Sequence, residues 1–312
     1  MIPVPGGEET RPLVDVQARL EPFVSEERSV TQLDLLRRSI ARSTIRLAGQ
    51  EPIIRLGEDG IHDARVATRR LRSDLRTFRP LLDVAWCESL REELRWFGEI
   101  LGRVRDAEVL RDRLSARIAA IPDSGIAAGK VLIDELEITR LDARRRLLAD
   151  LASPRYSELV EQLAVGAGLP ITRDGEADRP AEAAGSLMIR PWRRLAKAVL
   201  GLDPVPEDAA LHAVRIKVKR VRYAAEALAP AFGKRADRFA TAAKRLQETL
   251  GDHQDAVMTG EWLTEQGIGA DDPSVAFAAG RLTEREATDR DRSRTAWPKA
   301  WARLEGRKRF WT

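Results

Sequence analysis

Two stretches of this sequence share one pattern: residues 61–72 read IHDARVATRRLR, and residues 211–222 read LHAVRIKVKRVR. They align without a gap, so that His62 and Arg65 of the first match His212 and Arg215 of the second. Further matches are Arg70 with Arg220, Arg72 with Arg222, Pro80 with Pro230, and the Leu-Gly pairs at 101–102 and 250–251. Similarity of this kind within one chain indicates an internal duplication.

The chain is predicted to be all-α. Apolar residues recur three and four positions apart along most of it, and no run of strand-like alternation is present. Leu, Ala, Arg and Glu dominate, and these residues favour helices. We predict two sets of four helices, at residues 30–47, 61–82, 86–121 and 126–151, and then at residues 187–200, 208–229, 235–266 and 273–294.

The predicted organisation follows from these helices and from the Pro and Gly residues between them. Each set of four helices is expected to pack as a bundle. The expected segments are a flexible lead-in at 1–29, a first four-helix half at 30–165, a linker at 166–185, and a second four-helix half with a C-terminal tail at 186–312.

The first repeated stretch predicts a helix with a cationic face. At 100° per residue, the side chains on this face fall within about 80° of one another. They are His62, Arg65, Arg69, Arg72 and Arg76. Alanine, leucine and phenylalanine side chains fall on the opposite side, where they can pack in a bundle. The result is a row of positive charges about 20 Å long, which we call the first basic stripe.

The second basic stripe is predicted from His212, Arg215, Lys219 and Arg222. It is shorter, because Glu226 stands where the first stripe has Arg76. Like charges three and four residues apart oppose helix formation, whereas an ordinary solvated face mixes the signs of its charges. We therefore interpret the stripes as a receptor for a polyanion. Arginine suits phosphate in particular, because its planar fork binds two oxygens at once.

Further basic contacts are expected beside the stripes, from Arg38, Arg42, Arg70, Arg194, Lys197, Lys217 and Arg220. The alternative for the residues at 38, 42, 194 and 197 is an ordinary solvated surface. Asp106 and Asp255 occupy corresponding places in the repeat, and we expect them to form ion pairs between helices rather than to orient the basic residues.

All three histidines lie in repeated segments: His62 and His212 begin the two stripes, and His253 lies in the repeated Leu-Gly segment. We predict that His62 and His212 donate hydrogen bonds to phosphate and that the anion raises their pKa. Neither has a second His or Cys three or four residues away. No metal site and no cofactor are therefore expected.

Composition bears on the cellular compartment of the protein. The single cysteine, Cys87, cannot form a disulfide within the chain and favours a reducing compartment. No apolar run approaches the ~18 residues of a membrane span, and the N-terminus lacks the layout of a signal peptide. We expect a cytoplasmic protein without membrane association. The net charge of +4 says little about partners, because 53 basic residues are nearly balanced by 49 acidic ones.

Aromatic and basic residues alternate near the C-terminus, where Trp297, Trp301 and Trp311 lie among Arg303, Arg307 and Lys308. Such an arrangement can stack on nucleotides. Docking of the terminal segment onto the helices is the favoured interpretation.

At the two histidine-headed segments, the sequence resembles the CHAD family (conserved histidine α-helical domain). The signatures are His62-x-x-Arg65-x-x-x-Arg69-Arg70-x-Arg72 and His212-x-x-Arg215-x-x-x-Lys219-Arg220-x-Arg222-Tyr223. Residues 101–106 and 250–255 are also similar to family segments. The resemblance covers residues 30–311, nearly the whole chain.

The resemblance implies two pseudo-symmetric four-helix bundles with a basic groove or pore between them. It also implies inorganic polyphosphate as the ligand and association with polyphosphate granules. Members are often fused to a triphosphate-tunnel (CYTH) domain, which is marked by a Glu-x-Glu-x-Lys strand. This sequence has no such strand. We therefore expect the stand-alone type, without the catalytic activity of the fused members.

Two other functions remain open. A basic helix face attracts any polyanion, so non-specific RNA or DNA binding is the first alternative, although no helix-turn-helix or zinc-finger pattern is present. Processing of polyphosphate is the second. That chemistry usually needs carboxylates that hold Mg²⁺ beside the phosphates, and no such paired-carboxylate motif is found. We therefore expect a binding protein and not an enzyme.

Overall fold

The computed structural model describes residues 11–25, 31–119, 126–173, 177–308 and 310–311. Within these ranges the chain is all-α, as predicted, with ten α-helices and no strand. The extended pairings found there are two isolated bridges, Thr31 with Pro180 and Leu82 with Thr172. No helix among the described residues is long and apolar enough to span a bilayer.

Besides the α-helices, the described residues include short 3-10 helices at Arg79–Leu81 and Ala181–Gly185. The bounds of the α-helices are α1 Arg11–Ser25, α2 Gln32–Arg55, α3 Ile61–Phe78, α4 Val84–Ile118, α5 Ile126–Leu151, α6 Pro154–Gly168, α7 Ser186–Leu200, α8 Asp208–Phe232, α9 Lys234–Gly269 and α10 Pro273–Glu305. The predicted helices correspond to α2–α5 and α7–α10, whereas α1 and α6 were not predicted.

The prediction of a flexible lead-in is wrong for residues 11–25, which form α1. Its Pro12 lies in the first turn, where a missing N–H costs nothing. Leu20 is buried, and Arg19 donates two hydrogen bonds to the carboxylate of Glu161 at 2.8 and 2.9 Å. Packing on a distant part of the chain therefore stabilises α1, which the local sequence does not predict. Residues 1–10 and 26–29 of the predicted lead-in lie outside the described residues.

Helix α6 was not predicted. It precedes the predicted linker at 166–185 and extends into it as far as Gly168. Its start has a local signal, because the Ser153 hydroxyl accepts a hydrogen bond from the backbone N–H of Tyr156, and Pro154 follows the cap. The Tyr156 ring is buried against Phe97, with 4.9 Å between ring centroids. A serine-proline pair after a helix is thus a helix start here and not a break.

The chain forms two compact units. One comprises residues 1–102 and 145–187, and the other comprises residues 103–144 and 188–312. The boundary between them falls within α4, after Gly102, and within α5, before Arg145. The sequential halves predicted from the repeat, and the duplication itself, stay predictions.

In the first unit α2 packs against α1, α3 and α6. The apolar face of α3 is fully buried at Leu71, Leu75 and Phe78. Asp74 on the same helix is also buried, and it accepts a hydrogen bond of 2.7 Å from the Ser39 hydroxyl of α2. This core fixes which face of α3 remains for the basic stripe.

In the second unit α9 packs against both α8 and α10. Buried Glu286 of α10 accepts hydrogen bonds from Arg113 at 2.8 Å and from Arg117 at 3.2 Å, both on the last turns of α4. The carboxylate needs these partners, because an unpaired charge would be costly at this depth. The ion pairs therefore tie the end of α4 to α10.

The C-terminal tryptophans take part in an aromatic cluster of the second unit. Trp301 stacks on Trp192 of α7, with 5.5 Å between ring centroids and 10° between ring planes. Trp311 and Phe310 pack around Phe239 of α9, at centroid distances of 5.5 and 4.9 Å. The rings thus dock the terminal segment, as favoured from the sequence.

We expect Leu71→Ala to lower the free energy of unfolding by about 2–5 kcal/mol, because it leaves a cavity under α3. The control is Leu56→Ala, whose side chain is 77% exposed and whose loss should change stability by less than about 0.5 kcal/mol. Chemical denaturation followed by circular dichroism measures both. Equal effects of the two substitutions would contradict the assignment of the buried face.

Candidate functional site

The first basic stripe lies on α3, opposite the buried leucines. Its ends are the most accessible, since His62 and Arg76 are exposed. The three arginines between them, Arg65, Arg69 and Arg72, are half-buried. Half-buried arginines keep their stems on apolar surface and their charged ends toward water. This face of α3 is therefore exposed at its ends and partly exposed between them, and its role in binding stays a prediction.

Arginines of α4 extend this charge around Arg72. Burial lowers the pKa of Arg72, and the nearby charges of Arg91 and Arg95 lower it further. Gly98 of α4 lies beside this guanidinium, since a Cβ at that position would be 3.9 Å from Nη1 of Arg72. Arg91 and Arg95 each form an ion pair with a glutamate of their own helix, at 2.5 and 2.9 Å. The sequence analysis missed both arginines, because they belong to no repeated motif.

A second group of cations joins α2 to α3. Burial lowers the pKa of Arg42, and the charges of Arg38 and Arg70 lower it further. Arg38 also donates a hydrogen bond of 3.3 Å to the carbonyl oxygen of Val24. The structure thus brings together three residues that the sequence analysis predicted as additional basic contacts.

The second basic stripe lies on α8 and is held from α9. His212 Nδ1 is 2.5 Å from Oε1 of Gln254. Arg215 lies over Gly251, where an added Cβ would be 3.7 Å from both Nε and Nη2 of the guanidinium. This is an ordinary van der Waals distance, so a small side chain at position 251 would fit beside the guanidinium.

Arg222 at the end of the second stripe is largely neutralised. Its Nε donates a hydrogen bond of 2.7 Å to Glu226, and its Nη1 donates one of 3.2 Å to Gln247. The substitution that shortens the stripe in the sequence therefore acts in the structure as an intramolecular counterion. This finding separates Arg222 from Arg72, its counterpart in the repeat, whose strongest charged neighbours are other arginines.

Carboxylates also interact with the second stripe. Burial raises the pKa of Asp255, whereas the positive charges of Arg215, Arg113 and Lys219 oppose that rise. Asp106 is close enough to raise the same pKa. Asp255 thus interacts with Arg215 and Lys219 of the second stripe, and the ion pairs predicted for the two aspartates stay predictions. Arg113 was missed, although its place seven residues after Asp106 puts both on one face of α4.

A polar cluster lies at the start of α8. His253 of α9 is buried, and its Nε2 lies 3.1 Å from Oδ1 of Asp208. Arg294 of α10 donates a hydrogen bond to the same carboxylate. Burial lowers the pKa of His253, Asp208 opposes this, and Arg294 adds to it. His253 therefore has a structural environment, whereas His62 is exposed.

The remaining predicted contacts are spread over α7 and α8. Arg194 and Lys197 are exposed on α7, and Arg220 is half-buried on α8. Lys217 donates a hydrogen bond of 3.3 Å to the carbonyl oxygen of Ala213 on its own helix. Among the described residues, no group of three or more His, Cys, Asp or Glu side chains is arranged to hold a metal ion.

Comparison with known proteins identifies relatives. A family model described as CHAD domain matches residues 38–264. Uncharacterized protein Rv2226 of Mycobacterium tuberculosis strain H37Rv is 32% identical over 261 residues, which are 79% of this chain and 48% of the relative. Uncharacterized protein MT2285 of M. tuberculosis strain CDC 1551 matches to the same extent. The chain therefore spans about half the length of these curated relatives.

Two solved structures share the fold. PptA from Streptomyces chartreusis superposes with a TM-score of 0.73 at 24% identity, covering 88% of this chain and 100% of that one. The CHAD domain from the plant Ricinus communis superposes with a TM-score of 0.69 at 24% identity, covering 88% of this chain and 92% of that one. Both likenesses bear on the helical fold alone.

We expect His253 to make the protein less stable in acid. Its folded pKa is lowered, so stability falls as the pH drops through its unfolded value of about 6.5 toward the folded value. The free energy of unfolding should then fall by up to about 1.4 kcal/mol per pH unit. His253→Gln should flatten this dependence in thermal denaturation between pH 5 and 8. Exposed His62→Gln is the control, and parallel curves for all three proteins would refute the assignment.

Proposed function

Because the chain belongs to the CHAD family, a family linked to polyphosphate binding, we propose that it binds inorganic polyphosphate through the basic stripes of α3 and α8. In this proposal each stripe binds phosphate groups of the polymer. We further propose that the protein is cytoplasmic, associates with polyphosphate granules, and binds the polymer without processing it.

The observation that carries the proposal is the grouping of arginines around the first stripe. Burial is the main cause that lowers the pKa of Arg72; the charges of Arg91 and Arg95 lower it further, and two glutamates of α4 oppose them. Burial likewise lowers the pKa of Arg42, and the charges of Arg38 and Arg70 add to this. Arginine stays protonated in spite of such shifts, so the repulsion is stored in the folded state. A bound polyanion relieves it. The spacing of the cations along α3, about 1.5 Å of rise per residue, suits a ligand with closely repeated charge.

Polyphosphate is favoured over nucleic acid because the stripes offer no surface for bases. Single-stranded nucleic acids bind with their bases stacked on aromatic rings. The aromatic residue beside the second stripe, Tyr223, is buried, and the guanidinium of Arg222 lies 5.3 Å from its ring centroid. The other stripe positions hold only histidine, arginine and lysine. These side chains recognise a phosphate backbone and not a base.

The histidines are proposed to act as donors at the heads of the stripes. The amide oxygen of Gln254 accepts the Nδ1 proton of His212, which leaves Nε2 for the ligand. A phosphate oxygen at Nε2 would stabilise the protonated ring, so binding raises the pKa of this histidine. His62 has the corresponding place on α3 and is exposed.

We expect the wild-type chain to bind long-chain polyphosphate more tightly than single-stranded RNA of equal charge at physiological salt. Arg65→Ala with Arg215→Ala should weaken polyphosphate binding by at least about tenfold. The slope of log K against log salt should become shallower by about one for each arginine that no longer binds a phosphate. Isothermal titration calorimetry over a salt series measures both quantities.

The matched control replaces Lys130 and Arg285 by alanine, two exposed cations outside the stripes. It changes the net charge equally and should leave the affinity within about twofold. Equal binding of RNA and polyphosphate would make the stripes a general polyanion surface. Shortening of the polymer during incubation with Mg²⁺ or Mn²⁺ would contradict binding without processing.

We expect Glu226→Gln to strengthen polyphosphate binding. The change removes the counterion of Arg222 but keeps an oxygen for its hydrogen bond, so the guanidinium charge becomes available to the ligand. Affinity should rise by a few-fold at low salt, and the salt dependence should steepen by up to about one. Glu284→Gln, an exposed site on α10, removes the same charge elsewhere. Equal gains in both variants would show a net-charge effect instead.

A further inference from the structure

A second cluster of cations lines a cleft between the beginning of α9 and the end of α10. The cleft has a volume of about 330 Å³, and none of the stripe residues lines it. Its basic lining residues are Lys234, Arg238, Arg245, Arg303 and Arg307. Asp237 is the acidic residue among them, and the remaining surface comes from a threonine and two alanines.

The cations of the cleft are stacked by helical spacing. Lys234, Arg238 and Arg245 follow at intervals of four and seven residues on α9, which places them on one face. Arg303 and Arg307 face them from α10 and the turn that ends it. Within the part of the chain that the structure describes, the three α9 side chains form no ion pair. Like charges at this spacing destabilise the helix, and a bound anion would reduce the repulsion between them.

Two of these arginines lie where the cleft meets a neighbouring depression. Arg238 and Arg307 line both, and Arg235 and Lys308 add positive charge on the second side. The acidic residue there, Glu305, is paired with Lys308 at 3.3 Å.

The cleft offers charge without a surface for bases. The nearest tryptophan on α10, Trp301, is stacked on Trp192 at 5.5 Å. Phe310 of the neighbouring depression is buried against Phe239, with 4.9 Å between ring centroids. The floor of the cleft is formed by Ala242 and Ala300, whose small side chains permit close approach. A ligand here is held by its charge and not by stacking.

We propose that this α9–α10 cleft is a binding site for a compact inorganic oligophosphate of the size of tripolyphosphate, separate from the stripes. A volume of about 330 Å³ is at the lower limit of small-molecule sites. Several arginine forks around it can each bind two phosphate oxygens. The site stands independently of the proposed function of α3 and α8, because it rests on different residues.

The experiment uses calorimetric titration of tripolyphosphate into the full chain carrying Arg65→Ala and Arg215→Ala, so that the stripes contribute little. One binding event should remain. Adding Arg238→Ala and Arg245→Ala should weaken it by at least about tenfold. Arg238→Lys with Arg245→Lys should recover part of the affinity, because the charge returns without the fork. Both positions are exposed, so thermal denaturation should show an unchanged midpoint.

The control adds Lys130→Ala and Arg285→Ala instead, which gives the same net charge and should leave tripolyphosphate binding unchanged. Absence of any binding event in the parent variant would overturn the proposal. So would equal weakening in the cleft variant and the control, or displacement of tripolyphosphate by RNA of equal total charge. If the chain bound tripolyphosphate but did not bind long polyphosphate, the cleft proposal would be supported and the proposed function of the stripes would be refuted.

Discussion

Burial of one face of α3 constrains what the other face can be. Leu71, Leu75 and Phe78 are held in the core of the first unit, so the helix cannot rotate without exposing them. At ~25 cal/mol per Å² of apolar surface, that burial outweighs the few tenths of a kcal/mol by which each pair of stacked arginines opposes the helix. The repulsion is therefore carried by the folded protein, and the cations stay aligned before any ligand arrives.

Such preorganisation matters for a ligand that has no shape of its own. A flexible polyanion loses conformational freedom when it binds, and so would flexible lysines on a loop. Half-burial of Arg65, Arg69 and Arg72 limits the freedom of the receptor in advance. On α8 a contact with α9 has this effect, because Gln254 holds His212.

Most of the helices, and the faces on which the stripe residues lie, could be predicted because both depend on spacing along one helix. The period of 3.6 residues places apolar and basic residues on opposite faces whatever the rest of the chain does. Helix α1 escaped prediction because its burial depends on a partner far along the chain, Glu161 included. Arg91 and Arg95 were missed for the same reason, because tertiary packing brings them close to Arg72. Tertiary packing also brings Arg113 close to Asp255 beside the second stripe. Glu226 is the exception, because the sequence repeat shows an acidic residue at the position where the first stripe has Arg76.

The carboxylates of the second unit give its stripe a different electrostatic character. Glu226 binds Arg222, and Asp255 interacts with Arg215 and Lys219, so part of the positive charge of α8 is already balanced. Around α3 the strongest charged neighbours of Arg72 and Arg42 are cations. The polyanion proposed as ligand would compete with these internal counterions on α8, whereas around Arg72 and Arg42 it would offset the charge of neighbouring arginines. It follows that similar sequences on α3 and α8 do not imply equal shares of the binding free energy.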